Sequence, residues 1–356
     1  WIMAYTTIDD PSAHFQTTLY TGNGSSGHEI TNSGNSNLKP DWLWIKSRSD
    51  TEQHTLYDSS RGSTKRLMSD ATNAEYVNST QGIQSFNTDG FTLGENDQNN
   101  KSSQNCVAWQ WKANGGTTSS FTESGSNPGG NYQANTTAGF SIVTYTGTGS
   151  NGTVQHGLSS APELVIVKQR DDAAHDWQTG SDFLTSWAYR LKLNDDVTEA
   201  SVATSFNSTA PTSSVFTVGS NDDVNEDAHG YVGYCFHSVK GYSKIGSYKG
   251  NGNANGSQIY CGFKPKLVFL KKADGTENWI FKTTAVNFGQ VAGTAQMKRT
   301  MKINDNSSNT NCTINANATG FRPTTTDGKA NGDNAKYLYM AFAEMPVVGN
   351  LAPCPE

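Results

Sequence analysis

The chain is made of many short runs in which apolar or aromatic residues alternate with polar ones. Val107-Ala-Trp-Gln-Trp111 and Val232-Gly-Tyr-Cys-Phe236 are two examples. Such alternation is typical of β-strands, and the Gly, Asn, Asp and Ser clusters between the runs are typical of turns. Strong helical periodicity is lacking. The pattern therefore predicts an all-β chain of jelly-roll-like β-sandwiches.

One order of runs occurs three times along the chain. Each copy opens with an aromatic strand that leads into a Gly-x-Gly turn, at Gly22–Gly24, Gly147–Gly149 and Gly250–Gly252. A proline then begins an apolar run that ends six residues later in lysine, at Pro40–Lys46, Pro162–Lys168 and Pro265–Lys271. Each copy closes with an aromatic strand. The shared spacing predicts three tandem repeats of one β-sandwich module.

The predicted organisation follows from these repeats. Its segments are an N-terminal arm (1–14), repeat 1 (15–113), a Gly/Ser/Thr-rich linker (114–138), repeat 2 (139–239), repeat 3 (240–344) and a C-terminal tail (345–356). The linker composition is typical of flexible connections, which predicts that repeat 1 moves relative to the others. The arm and the tail either strap onto neighbouring subunits or fray. Met3 resembles a natural start, so Trp1 and Ile2 are expected to be an upstream extension or a cut end.

Composition narrows the class of protein. The net charge is −6 and only 16% of residues are charged, which is unlike a basic nucleic-acid-binding surface. The apolar runs are too short to span a membrane. The 8 Trp, 14 Tyr and 15 Phe argue against a disordered chain. The 5 cysteines form no CxxC pair, so neither a disulfide framework nor a cysteine zinc site is expected.

Two of the glycine turns match a nucleotide-binding motif. Gly22-x-Gly24-x-x-Gly27 and Gly147-x-Gly149-x-x-Gly152 have the dinucleotide fingerprint. That fingerprint needs a following helix whose N-terminus binds the pyrophosphate, whereas the residues after Gly152 are typical of a strand. Because the motif recurs in every copy, turns with positive φ explain it. The sequence therefore predicts no cofactor-binding residues.

No set of residues in the sequence predicts catalysis. A GxSxG elbow is lacking, and the histidines do not recur in register with a serine or an aspartate. Paired carboxylates can cleave glycosides, and Asp171-Asp172, Asp195-Asp196 and Asp222-Asp223 are candidates. All three pairs lie in turn-like sequence, where Asp bonds its own backbone. The prediction is a protein that is not an enzyme.

Acidic loops leave metal binding open. The loops after Gly94 and Gly219 are rich in side-chain oxygens, which suit calcium. Asp97, Asp222, Asp223 and Asp227 are the candidate ligands. The alternative is that these loops are solvated turns. Residues that differ among the three repeats are the expected location of any special binding function.

The tryptophans also permit two interpretations. Trp42 and Trp44 share one face of a predicted strand, as do Trp109 and Trp111. Such pairs can stack on sugars. Apolar residues occupy the equivalent positions in the other repeats, so a place in the hydrophobic core is the favoured prediction.

Several stretches resemble repeat modules of structural proteins from marine tailed phages. They include Ala138–Gly149, Val165–Lys168, Gly90–Gly94 and the Asp58-Ser-Ser-Arg61 segment. The resemblance implies concanavalin- or lectin-like β-sandwiches in a virion protein, and it supplies no catalytic residues. It also suggests a structural ion pair between Asp58 and Arg61.

The expected function is therefore a non-enzymatic phage structural protein on the virion surface, as capsid decoration or as part of a tail appendage or tail fibre. The expected partners are other virion proteins and further copies of the chain in a homo-oligomer. An alternative is an adhesin that binds host surface glycan during attachment. A more remote alternative is a glycan depolymerase.

Overall fold

The computed structural model describes residues 6–286, 290–291, 294–307 and 310–343. These residues form antiparallel β-sheets joined by loops and one-turn helices, which confirms the predicted all-β sandwich class. The predicted C-terminal tail and the first residues of the arm lie outside the described residues. No helix among those described has the length and apolarity needed to cross a membrane.

Short strands make up the predicted repeat 1. They are β1 (Phe15–Thr21), β2 (His28–Ile30), β3 (Trp42–Ser47), β4 (Thr55–Asp58), β5 (Gly62–Leu67), β6 (Tyr76–Val77), β7 (Ile83–Asn87), β8 (Gly90–Leu93) and β9 (Asn105–Trp111). The predicted linker contributes β10 (Ser119–Phe121) and β11 (Gly130–Asn135).

The strands of repeat 2 are β12 (Phe140–Thr146), β13 (Gly152–Gln155), β14 (Leu164–Gln169), β15 (Gln178–Ser181), β16 (Tyr189–Lys192), β17 (Ala200–Ser201), β18 (Val215–Val218) and β19 (Gly230–Phe236). Those of repeat 3 are β20 (Ser243–Lys249), β21 (Ile259–Tyr260), β22 (Pro265–Lys272), β23 (Ile280–Thr283), β24 (Gln290–Val291), β25 (Thr294–Lys302), β26 (Thr310–Asn317), β27 (Gly320–Pro323) and β28 (Lys336–Ala343). The one-turn helices are α1 (Asp97–Asn100), α2 (Ala203–Phe206), α3 (Asp222–Asn225) and α4 (Gly328–Asn331), and short 3-10 helices cover Pro11–Ala13 and Thr284–Val286.

One order of strand pairing recurs along the chain. The large sheets contain β1-β9-β3-β4-β5, β12-β19-β14-β15-β16 and β20-β28-β22-β23-β25 in that spatial order. The smaller layers pair β2-β8-β7, β13-β18 and β26-β27-β21, and the last of these continues from β25. Three copies of one module would produce this recurrence.

Each large sheet buries both of its faces. In β3, Trp42 and Trp44 belong to a core shared by all three repeats, whereas Leu43 and Ile45 pack in a separate core beneath the small sheet of repeat 1. This alternation follows from the two-residue period of a strand. Strands β14 and β22 divide their side chains between the shared core and a local core in the same way.

Aromatic rings from different repeats meet in the shared core. Trp42 stacks on Tyr234 with 4.3 Å between ring centroids, and Phe15 stacks on Phe342 at 5.0 Å. Phe236 and Phe342 lie near the ends of the closing strands of repeats 2 and 3, and their ring centroids are 6.1 Å apart. The tryptophans predicted as core residues are 0–1% exposed, which confirms that interpretation over a sugar-stacking platform.

Equivalent side chains connect the repeats in a closed ring. The indole Nε1 of Trp177 donates to the Met68 carbonyl at 2.8 Å, so repeat 2 contacts repeat 1. Trp279 Nε1 donates to the Lys192 carbonyl at 2.7 Å, so repeat 3 contacts repeat 2. His54 occupies the corresponding place after the repeated lysine of repeat 1.

His54 closes the ring between repeats 1 and 3. Its Nδ1 accepts a 2.8 Å hydrogen bond from Trp44 Nε1, so the proton of the neutral ring is on Nε2. That Nε2 donates to the carbonyl of Lys302 at 2.6 Å. Burial lowers the pKa of His54 to about 3, which preserves this neutral form. Head-to-tail contacts that return to their start form a ring rather than a linear array.

A buried ionic network also joins repeats 1 and 2. Arg61 Nε lies 2.5 Å from Asp58 Oδ2, which is the ion pair suggested by the resemblance, and Arg61 Nη1 lies 2.8 Å from Glu75. Arg170 of repeat 2 donates to both carboxylate oxygens of Glu75, at 2.9 and 3.0 Å. Burial raises the pKa of Glu75, but the hydrogen bond and charge of Arg170 and those of Arg61 lower it to about 2.

The prediction of a flexible linker at 114–138 is wrong for this structure. Strand β11 pairs with β12 and extends the large sheet of repeat 2, while Gln133 donates to Ser59 and Ser60 of repeat 1. Polar composition misled the prediction because the backbone of these strands forms hydrogen bonds within a sheet whatever the side chains are.

The N-terminal arm is not wholly frayed either, since Ile8 is 2% exposed and packs in the shared core.

We predict that Trp42→Ala lowers the free energy of unfolding by about 3–5 kcal/mol, because the cavity lies between repeats and cannot collapse. Urea denaturation followed by circular dichroism measures this change. The control is Leu19→Ala, at a position 40% exposed, which should change stability by less than about 0.5 kcal/mol. Equal effects of the two substitutions would contradict a shared core.

We also predict acid sensitivity that originates at His54. In the unfolded chain the His54 side chain binds a proton near pH 6.5, whereas in the folded protein burial keeps it neutral down to about pH 3. The contribution of neutral His54 to the free energy of unfolding is therefore complete above pH 6.5. It declines as the pH falls, by about 3 kcal/mol between pH 7 and pH 4. His54→Gln should lose that part of the decline in urea titrations at the two pH values. An unchanged pH dependence in the variant would be inconsistent with a neutral His54.

Candidate functional site

The Gly-x-Gly loops are held by buried asparagines. Asn225, at the end of α3, accepts from the Thr148 backbone N–H at 2.9 Å and donates to the carbonyls of Ser150 and Gly219 at 2.6 and 2.9 Å. Asn100 and Asn331 end α1 and α4 and bind the Gly-x-Gly loops of repeats 1 and 3 in the same way. The backbone groups of these loops are therefore used inside the fold.

The two glycines of each loop are required for different reasons. Gly24, Gly149 and Gly252 have φ between +65° and +72°, a conformation that favours glycine. A Cβ at Gly22, Gly147 or Gly250 would instead overlap with the carbonyl oxygen just after the neighbouring helix. The resemblance to a dinucleotide fingerprint is thus explained by a turn packed against a one-turn helix.

A groove of about 530 Å³ lies on repeat 1, beside the loop that follows Gly94. Tyr76 is 51% exposed there, with the Arg66 guanidinium 5.0 Å from its ring centroid. Amide and carboxylate side chains make up most of the remaining surface. The lining residues are Gly24, Arg66, Tyr76, Asn78, Gln81, Glu95, Asn96, Asp97 and Gln98.

A cluster of histidines and carboxylates lies on repeat 2, beside the loop that follows Gly219. Single ligand atoms of Asp172, His175 and Glu226 all lie within 4.8 Å of one another. His229 is adjacent, with Nε2 3.7 Å from Glu226 Oε1 and Nδ1 3.4 Å from Asp172 Oδ2. We call these four residues the His/carboxylate cluster.

Two segments bring this cluster together. The β14–β15 connection supplies Asp172 and His175, and the turn between α3 and β19 supplies Glu226 and His229. The first segment is fixed to the second because the Arg170 N–H donates to the Gly230 carbonyl at 2.8 Å and Gly230 N–H donates to Asp171.

The candidate ligands from the sequence occupy different places. Asp97 lines the groove of repeat 1, far along the chain from the others. Asp223 touches the cluster, with Oδ1 3.3 Å from His175 Nδ1. Asp222 and Asp227 are exposed residues at the start of α3 and after it. The structure therefore does not unite the four predicted ligands in one calcium site.

The remaining carboxylate pairs bind backbone N–H groups. Asp171 accepts from the Gly230 N–H, and Asp195 accepts from the N–H of Asp196 at 2.8 Å. Asp195 thus has the local role expected of Asp in turns, whereas Asp171 connects two segments that are distant in the chain.

Sequence reasoning missed His175, Glu226 and His229 in repeat 2, and Tyr76 in repeat 1. It set the histidines aside because they do not recur among the repeats. The absence of recurrence was itself the useful signal, since residues common to the repeats hold the fold together. Both sites border the loops after Gly94 and Gly219, where the sequence predicted that special functions would lie.

We predict that Gly147→Ala destabilises the fold by about 2 kcal/mol or more, because its Cβ would overlap with the Glu226 carbonyl. The matched control is Gly233→Ala, whose Cβ would meet its nearest atom at an ordinary 3.5 Å and should change stability by under about 0.5 kcal/mol. Thermal unfolding measures both. A Gly147→Ala variant with unchanged stability would contradict the packed turn.

Comparison with known proteins identifies the family of the chain. No curated protein matches the chain. A family model, described as "Domain of unknown function (DUF7483)", matches residues 10–346. The match is continuous over all three predicted repeats, and the ring of contacts also includes all three. The chain belongs to this DUF7483 family.

Proposed function

We propose that the chain is a non-enzymatic structural protein exposed on the surface of a phage virion, where it serves as capsid decoration or as part of a tail appendage. The supporting observation is the closed ring of three repeats around one shared core. The residues that recur, such as the asparagines at the helix ends and the core aromatics, serve to make the fold rigid.

The sequence resemblance supports the same proposal. The stretches similar to marine phage modules are strands and turns of this ring, including β14 (Leu164–Gln169) and the Asp58–Arg61 ion pair. Other virion proteins and further copies of the chain are the proposed partners. A chain with an internal threefold arrangement also matches the symmetry of a local threefold axis on a capsid.

Glycan binding is a second proposed function, and the groove of repeat 1 favours it. An exposed aromatic ring bordered by amides and carboxylates can stack on a sugar face and bond its hydroxyls. Tyr76 supplies the ring, and Asn78, Gln81 and Asp97 supply polar groups around it. In this role the protein would assist attachment to host surface glycan.

Mass spectrometry of purified virions tests the structural role. We predict that the chain is present in particles of the phage that encodes it and occupies a fixed, symmetric position in an electron-microscopy map. Its absence from washed particles would overturn the proposal. Release of reducing ends from host polysaccharide by the purified chain would overturn its non-enzymatic part and favour the depolymerase alternative.

A glycan array tests the second role. Tyr76→Ala should weaken binding of any recognised glycan by at least about tenfold, because it removes the stacking surface. Val77→Ala is the matched control, since Val77 is 60% exposed on the same short strand and does not line the groove. Equal binding by the two variants would exclude this groove as the glycan site.

A further inference from the structure

We propose that the His/carboxylate cluster of repeat 2 binds a divalent transition-metal ion of the Zn²⁺ class, with Asp172, His175 and Glu226 as ligands and His229 as a fourth. The proposal is independent of the virion location and of the groove in repeat 1.

The spacing of the ligand atoms supports a metal site. One atom from each of Asp172, His175 and Glu226 lies within 4.8 Å of the other two. A tetrahedral ion with bonds of about 2.1 Å separates its ligands by about 3.4 Å. Small side-chain rotations therefore bring the three atoms to bonding distance. The side chains of Asp172 and Glu226 are 58% and 35% exposed, which leaves these carboxylates room to move toward His175.

The surroundings already orient His175. Its Nδ1 lies 3.3 Å from Asp223 Oδ1, and its Nε2 faces Glu226 Oε2 at 3.9 Å. Asp223 is itself fixed by the Asp176 N–H at 3.0 Å and by Gln178 Nε2 at 2.6 Å. A carboxylate on the far nitrogen of a histidine is the usual support for a metal-binding imidazole.

His229 offers an unused nitrogen at the same place. Its Nδ1 is shielded from solvent and forms no hydrogen bond with any residue in the described ranges. Asp172 Oδ2 lies 3.4 Å from this nitrogen. A buried nitrogen without a hydrogen bond is costly, and coordination of a metal would satisfy it.

Comparison with repeat 1 shows what is special in repeat 2. Asp50 and Asp172 each follow the repeated lysine by four residues, and Lys101 and Glu226 each directly follow the asparagine that holds the glycine loop. In repeat 1 the two positions form an ion pair, with 2.7 Å between Lys101 Nζ and Asp50 Oδ2.

In repeat 2 those positions hold two carboxylates. The ion pairs that Asp172, Asp223 and Glu226 form within the described part of the chain involve only histidine. Like charges at this distance repel, and a divalent cation between them would replace the missing lysine. The change from Lys101 to Glu226 thus converts an ion pair into a metal site.

The ligand types select the metal. Imidazole nitrogens with carboxylates suit Zn²⁺ and its first-row neighbours, whereas Ca²⁺ takes oxygen ligands. The site therefore differs from the calcium site that the acidic sequence suggested, in both residues and ion.

Isothermal titration of the full chain, prepared without a polyhistidine tag and freed of metal by a chelator, tests the proposal with ZnCl₂ and CaCl₂. We expect one saturable Zn²⁺ site and an increase in melting temperature on Zn²⁺ addition. Asp223→Asn should weaken binding by about 10- to 100-fold. Glu226→Lys should abolish it.

Glu226→Lys also controls for folding, because it installs the charge pair of repeat 1 and should leave the metal-free melting temperature unchanged or higher. Asp50→Asn, the equivalent position to Asp172 in repeat 1, should bind Zn²⁺ like the natural chain. Absence of saturable Zn²⁺ binding, retention of it in Glu226→Lys, or tighter binding of Ca²⁺ than of Zn²⁺ would each overturn the proposal.

Discussion

Burial of both faces of the three large sheets is the constraint on which the rest of the structure depends. Trp42 and Leu43 are neighbours in one strand, both are at most 1% exposed, and they lie in different cores. The small sheet of each repeat covers only the outer face. The inner face is buried only if it packs against another apolar surface, and the other two large sheets provide that surface. The closed ring is thus a consequence of the hydrophobic pattern.

Closing the ring buries backbone carbonyls at the junctions, and donors from neighbouring repeats satisfy them. Trp177, Trp279 and His54 have this role. Two of the three repeated lysines have the same role, since Lys168 donates to the Thr72 carbonyl at 3.4 Å and Lys271 to the Asp196 carbonyl at 3.1 Å. Burial lowers the pKa of both lysines to about 8. The lysine that recurs at the same spacing in each repeat therefore has a structural role.

Much of the fold could be predicted because the local sequence pattern of a strand is enough to identify it. The two-residue period identified the closing strands, the recurring apolar run after the repeated proline identified β3 and β14, and recurrence assigned the tryptophans to the core. The ring could not be predicted, because no local pattern shows which repeat the ring nitrogens of His54 contact. The strands at 119–135 were missed because few apolar side chains mark them. At the His/carboxylate cluster, sequence found the loop but not the histidines. His175 contacts Asp223 and Glu226, and His229 contacts Asp172, all from distant parts of the chain.

Differential scanning calorimetry of the intact chain tests the shared core most directly. If the three repeats depend on one another for burial of their inner faces, they unfold together. We therefore expect a single transition whose van't Hoff enthalpy equals the calorimetric enthalpy. Separate transitions, or a van't Hoff enthalpy near one third of the calorimetric value, would show that the repeats fold independently and would contradict a core shared among them.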